Sequence, residues 1–90
     1  MAIEVRIPTI LRSYTDGAKS VEANGATLGE LIADVDKHHP GLSDRLTDAD
    51  GLRRFVNVYL NDEDVRFLGG LQTPVSDGDT VTVLPAVAGG

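Results

Sequence analysis

Residues 27–41 read TLGELIADVDKHHPG, and they carry the longest run of helical periodicity in the chain. Leu28, Leu31, Ile32 and Val35 fall at i, i+3, i+4 and i+7, a single apolar stripe, while Glu30, Asp34, Asp36 and Lys37 occupy the face expected to meet water. Thr27 followed by Glu30 has the spacing of a capping box, so the helix is predicted to start there. Pro40-Gly41 ends it, because proline disfavours helical geometry in the residue before it and glycine permits a left-handed exit. Leu42 and Leu46, four apart, predict one further helical turn. His38 and His39 could be read as metal ligands. Adjacent histidines at a helix end are more simply read as complementing the negative end of its dipole, and no metal is predicted.

On both sides of this helix the apolar period drops to two. Upstream, Ile3, Val5 and Ile7 alternate with Glu4, Arg6 and Pro8. Thr15-Asp16-Gly17 supplies turn chemistry, and Lys19 to Ala23 reads as a short strand returning antiparallel before the break at Asn24-Gly25. Downstream, Val56, Val58 and Leu60 form one face of a strand and Phe55, Asn57 and Tyr59 the other. Asn61 to Asp64 is a polar turn, Val65 to Phe67 is predicted as a short strand, and Gly69-Gly70 is a second break. After Leu71, Pro74 and the turn Ser76-Asp77-Gly78-Asp79, a last strand places Val81 and Val83 inward and Thr80, Thr82 and Leu84 outward. Pro85 closes it, since proline lacks the ladder donor. The pattern predicts an α+β fold, a mixed sheet of four to five strands covered by one main helix. Its first and last strands would be parallel neighbours at the centre. Ile3, Val5, Leu28, Leu31, Ile32, Val35, Val56, Val58, Val81 and Val83 are the predicted core.

Composition narrows the function. Ninety residues, 41% of them hydrophobic, suit one domain and leave too little chain for a large catalytic cleft between layers. Eight Lys and Arg against fourteen Asp and Glu give a net charge of -6, which opposes binding to nucleic acid or an anionic membrane. With no cysteine there is neither a disulfide framework nor a thiolate site. No signal peptide is visible near Met1, and no apolar run reaches the roughly 20 residues of a membrane span, so a cytoplasmic location is expected. Asp48-Ala49-Asp50-Gly51 is not a calcium loop, because Tyr59 stands at the twelfth position where a bidentate Glu is required. Asp62, Glu63 and Asp64 lack a neighbouring nucleophile and read as a solvated turn.

From Thr80 to Gly90 no side chain is charged. The division expected is a folded domain over 1–85 and a flexible tail, Ala86-Val87-Ala88-Gly89-Gly90. Five extended residues span about 16–18 Å, enough to carry a terminal carboxylate into another protein's active site. The two glycines, lacking Cβ atoms, would let the backbone pass a constriction. A frayed end of small residues is the plainer alternative.

Three segments resolve that choice by resemblance: Ile7-Pro8-Thr9-Ile10-Leu11-Arg12, the run from Phe55 to Arg66, and Asp77-Gly78-Asp79 before a strand that ends in Leu84-Pro85-Ala86-Val87-Ala88-Gly89-Gly90. Together they resemble the ubiquitin-like sulfur carriers of the MoaD/ThiS family over nearly the whole chain, most closely the carriers of cysteine biosynthesis. The resemblance implies a β-grasp fold and no catalytic residue of the chain's own. It implies that an E1-like adenylating and sulfurtransferase enzyme, using ATP and Mg, activates the carboxylate of Gly90, which then becomes a thiocarboxylate. Ala86, Val87, Ala88, Gly89 and Gly90 would enter the partner's active site. No cofactor is expected on the chain itself; PLP would belong to a cysteine synthase that accepts the sulfur, and a metalloprotease would release cysteine. The small subunit of molybdopterin synthase and a ubiquitin-like protein modifier remain as alternatives. Phe55 and Leu84, on outward sets of neighbouring strands, are either a docking patch beside the reactive end or ordinary exposed apolar surface.

Overall fold

The computed structural model describes residues 2–49, 51–53 and 56–85. Strand β1 (Ile3–Arg6) buries Ile3 and Val5 and turns Arg6 outward, as its alternation requires. A 3-10 helix over Thr9–Thr15 follows, where the sequence showed only the turn at its end. Leu11 and Thr15 are its buried side chains, and the Thr15 hydroxyl lies 3.0 Å from the Ala18 carbonyl, holding the exit through Asp16 and Gly17 in left-handed geometry. Strand β2 (Ser20–Ala23) then pairs antiparallel with β1, Arg6 opposite Ser20 and Ile3 opposite Ala23.

Helix α1 (Leu28–His38) buries Leu28, Leu31, Ile32 and Val35 against the sheet. Each such side chain contributes about 1.5–3 kcal/mol of burial free energy. The Thr27 hydroxyl accepts from the Glu30 amide at 3.3 Å, but the Glu30 carboxylate reaches past the expected box position to the Ala26 amide, 3.2 Å away. The polar face is less solvated than the pattern suggested. Asp34 accepts from the Asn24 amide at 2.9 Å, and Asp36 accepts from the amides of Gly41 and Ser43 at 3.0 and 3.1 Å. These two carboxylates therefore tie down the chain on either side of the helix, a duty that spacing alone does not reveal. Asp36 also fixes the start of α2 (Leu42–Leu46), the predicted extra turn, which buries both leucines.

A small hairpin, β3 (Thr47–Asp48) and β4 (Gly51–Leu52), leads to β5 (Val56–Leu60). Asn61 and Asp62, both at positive φ, turn β5 back into β6 (Glu63–Asp64). Here the structure corrects the predicted strand over Val65–Phe67, which is a 3-10 helix. The Asp64 side chain accepts from the Arg66 amide at 2.9 Å, so a local cap takes the donor that a ladder would have used. Val65 is fully buried and Phe67 is 88% exposed.

After a short 3-10 turn at Gly70–Gln72, the chain is pinned beside α1 by Leu28 N–H to Thr73 O and Val75 N–H to Ala26 O. Strand β7 (Thr80–Pro85) then enters the middle of the sheet, whose order is β2-β1-β7-β5-β6. It runs parallel to β1 and antiparallel to β5, the central pairing expected from the sequence. All ten predicted core residues are buried.

Candidate functional site

The register fixes what surrounds the end of β7. Leu84 stands opposite Asn57 and Pro85 opposite Val56, at the start of β5. Arg6 at the end of β1 stands opposite both Thr82 and Ser20, so β1 and β7 finish at one margin of the sheet, where β2 and β5 begin. Leu84 lies on the face away from α1 and is 42% exposed. Its proposed partner in a docking patch, Phe55, lies outside the described residues, as do Ala86, Val87, Ala88, Gly89 and Gly90.

Two open grooves flank this margin and share Pro8, Ile10 and Val83. The larger, about 830 Å³, lies between the 3-10 helix of residues 9–15, α2 and the start of β5, and holds Tyr14, Asp44, Arg45 and Arg53. The smaller, about 510 Å³, lies over β1 and the end of β7 and holds Glu4, Arg6, Arg12 and Lys19 beside Leu84. Ile10 projects between them, 68% exposed. Neither Ile10 nor the grooves was assigned a role from sequence. The available signal was an isoleucine that fits neither the strand alternation before it nor a buried helical stripe.

The cations here are held in fixed attitudes. Arg45 Nε donates to the Tyr14 hydroxyl at 2.6 Å, and its guanidinium carbon is 5.6 Å from the centre of that ring. Arg53 Nε donates to the Asp44 carbonyl at 2.6 Å and Arg12 Nε to the Ile7 carbonyl at 3.1 Å. Arg6 pairs with Glu4 at 3.6 Å. Arg66 reaches along β5, donating to Asn57 Oδ1 at 2.7 Å and to the Arg53 carbonyl at 3.0 Å, and so braces the start of the strand beside Leu84.

At the opposite margin the turns are acidic. Asp79 accepts from the Ser76 amide at 2.8 Å and from Asn61 Nδ2 at 3.0 Å, which locks the turn before β7 to the turn after β5. Asp62, Glu63 and Asp77 are exposed there, and neither turn contains a Lys or Arg. Among the described residues no group of three His, Cys, Asp or Glu side chains comes together to hold a metal. His38 Nδ1 lies 3.1 Å from the Asp34 carbonyl, on its own helix. No helix among the described residues is long and apolar enough to cross a membrane.

Comparison with known proteins places this geometry. The sulfur carrier protein CysO of Mycobacterium tuberculosis is 58% identical over 93 aligned residues that cover the whole of both chains. The small archaeal modifier protein 3 of Haloferax volcanii is 34% identical, again over the whole of both chains. The CysO chain in the crystal structure of the Amycolatopsis orientalis BexX/CysO complex is 62% identical and superposes with a TM-score of 0.94, covering 99% of this chain and 100% of that one. These neighbours carry the ubiquitin-like β-grasp fold, and the five-stranded mixed sheet crossed by α1 has the same architecture. The ThiS family model matches residues 5–90, from β1 through the Gly-Gly end, and the chain belongs to that family.

Proposed function

We propose that this protein is a sulfur carrier of cysteine biosynthesis, whose own chemistry resides in the carboxylate of Gly90. The observation that carries the reading is the whole-length identity to CysO, in a family match that extends to residue 90. Residues 1–85 act as the domain that is recognised, and residues 86–90 as the tail that enters a partner's active site. Strand β7 supports this division: it is the central strand, paired on both sides, and it ends at the margin between the two grooves.

The reaction needs a good leaving group on a poor electrophile. The Gly90 carboxylate attacks the α-phosphorus of ATP and pyrophosphate departs, leaving an acyl adenylate. Sulfide, or a sulfur donor of equivalent oxidation level, then attacks the carbonyl carbon and displaces AMP, leaving the thiocarboxylate. The E1-like partner supplies Mg and charge stabilisation, so the carrier is a co-substrate and not the catalyst. No cysteine elsewhere in the chain competes for the acyl group. A cysteine synthase with its own PLP is the proposed acceptor, and a metalloprotease the proposed releasing enzyme. Leu84, with Phe55, is the proposed apolar contact beside the tail.

Incubating the protein with ATP, Mg, an E1-like activating enzyme and sulfide is expected to replace one terminal oxygen by sulfur, read as a mass gain confined to the C-terminal peptide. Deleting Gly90 is expected to abolish it. The carboxylate then withdraws by about 3.3–3.6 Å, and attacking atoms must already be held within about 3–3.5 Å. Sulfur acquired at an internal residue, or by the truncated chain at the normal rate, overturns the mechanism. The similarity to an archaeal modifier protein favours a second reading, capture of the same adenylate by a lysine amine. Isopeptide-linked Gly90 in cell extract is the result that selects it.

A further inference from the structure

The geometry points to the two grooves either side of Ile10 as one docking surface for an acidic segment of the activating enzyme, one that borders the entrance to its nucleotide site. This rests on the carrier reading and adds the chemistry by which the partner is recognised. The chain as a whole carries a net charge of -6. Yet the larger groove sets Arg45 and Arg53 against the single acid Asp44, and the smaller sets Arg6, Arg12 and Lys19 against the single acid Glu4. The margin at which β7 ends is therefore locally positive on a negative molecule. At the opposite margin lie Asp62, Glu63, Asp77 and Asp79.

Such a distribution orients the molecule in a partner's field, with the margin at the end of β7 leading toward negative charge. The arginines are suited to receive carboxylates. Arg45 and Arg53 spend Nε on Tyr14 and on the Asp44 carbonyl, which fixes the guanidinium planes, and their terminal nitrogens engage no acceptor among the described residues. Exposed Ile10 stands between the cation sets, and exposed Leu84 borders the smaller groove. That is the layout of an apolar anchor within a charged rim. A free phosphate or nucleotide would engage one cation cluster and leave Ile10 without a role. An acidic protein segment engages both grooves and covers it.

The experiment compares three charge reversals of equal size in the full chain: Arg45→Glu in the larger groove, Lys19→Glu in the smaller, and Lys37→Glu on the exposed side of α1, outside both grooves. All three residues are exposed. Calorimetric titration with the E1-like enzyme is expected to show Kd weakened about tenfold by each groove variant and changed less than about twofold by Lys37→Glu, with thermal unfolding shifted by only a few degrees in all three, most in Arg45→Glu, which gives up its Tyr14 contacts. The wild-type Kd should rise steeply between about 0.01 and 0.15 M ionic strength, and more shallowly in Arg45→Glu. Ile10→Asp should weaken binding without altering the salt slope. Groove variants that bind no differently from Lys37→Glu overturn the proposal. So does inorganic phosphate that perturbs the Arg45 and Lys19 resonances while the variants bind the enzyme normally, since the grooves then serve a small anion. Binding that follows the expected pattern without sulfur transfer to wild-type protein removes the carrier reading and leaves the docking surface standing; sulfur transfer with normal binding by the variants does the reverse. No binding by wild type at low salt overturns both.

Discussion

Leu31 has no exposed surface and sits on the α1 stripe between Leu28 and Val35, facing the sheet. Leu31→Ala is expected to cost about 2–5 kcal/mol, read from the denaturation midpoint with the m-value unchanged. Gly25 illustrates a different constraint at the same scale. A Cβ built there would lie 2.6 Å from the Leu31 amide nitrogen, a backbone atom that cannot swing aside. Gly25→Ala should therefore destabilise the protein although it adds only one methyl group; an unfolding midpoint equal to wild type would show that the loop has room to move. Neither residue belongs to the proposed site, and neither change should alter the mass gained per folded molecule in the sulfur-transfer assay. Gly90 is proposed as the reverse case, with chemistry and no share in the core.

At the scale of elements, local side chains decide where helices and strands begin. Removing the Thr27 hydroxyl by Thr27→Ala should cost about 0.5–2 kcal/mol through the lost cap on the Glu30 amide. The 3-10 helix of Val65–Phe67 is bound to the rest of the sheet by buried Val65 and by Arg66, whose guanidinium spans Asn57 and the Arg53 carbonyl. Arg66→Ala is expected to lower stability by about 1–2 kcal/mol, and amide exchange should quicken at Asn57 before it does at Val81. Phe67, alternating with Val65, looks like a strand position in the sequence. The structure leaves it in solvent, so Phe67→Ser should change stability by less than about 0.5 kcal/mol. A loss of several kcal/mol would mean that Phe67 packs as a strand residue after all.

For the whole molecule, every buried apolar side chain among the described residues lies between Ile3 and Val83. Removing residues 86–90 is accordingly expected to leave the urea midpoint unchanged while eliminating sulfur transfer. An equal loss of stability and activity would assign the tail a structural role in the domain. The same deletion separates recognition from reaction: if the grooves dock the activating enzyme, the truncated chain should still compete with the full-length protein for it, and the Arg45→Glu version of that truncation should compete poorly.

Much of this molecule is legible without coordinates. Period-two segments flanking one period-3.6 segment dictate a sheet with a helix across it, because each pattern leaves one apolar face that only the other can cover. The glycine pair at the end of an uncharged run, read with the Ile7–Arg12 and Phe55–Arg66 segments, was enough to point to the carrier family that the comparisons then matched. What local pattern could not supply was any interaction between residues distant in the chain. Asp34 and Asp36 look solvated on a helical wheel, yet they hold the loops that pass beside them. Val65 to Phe67 alternates like a strand until the Asp64 carboxylate takes the amide of Arg66. Arg6, Arg12 and Lys19 gather in one groove, and Arg45 and Arg53 in the other, only because the register of β1 with β7 and the packing of residues 9–15 beside α2 bring them to one margin. Periodicity records which side of an element is apolar, whereas the proposed docking surface depends on where the ends of several elements meet, and that is decided by tertiary packing.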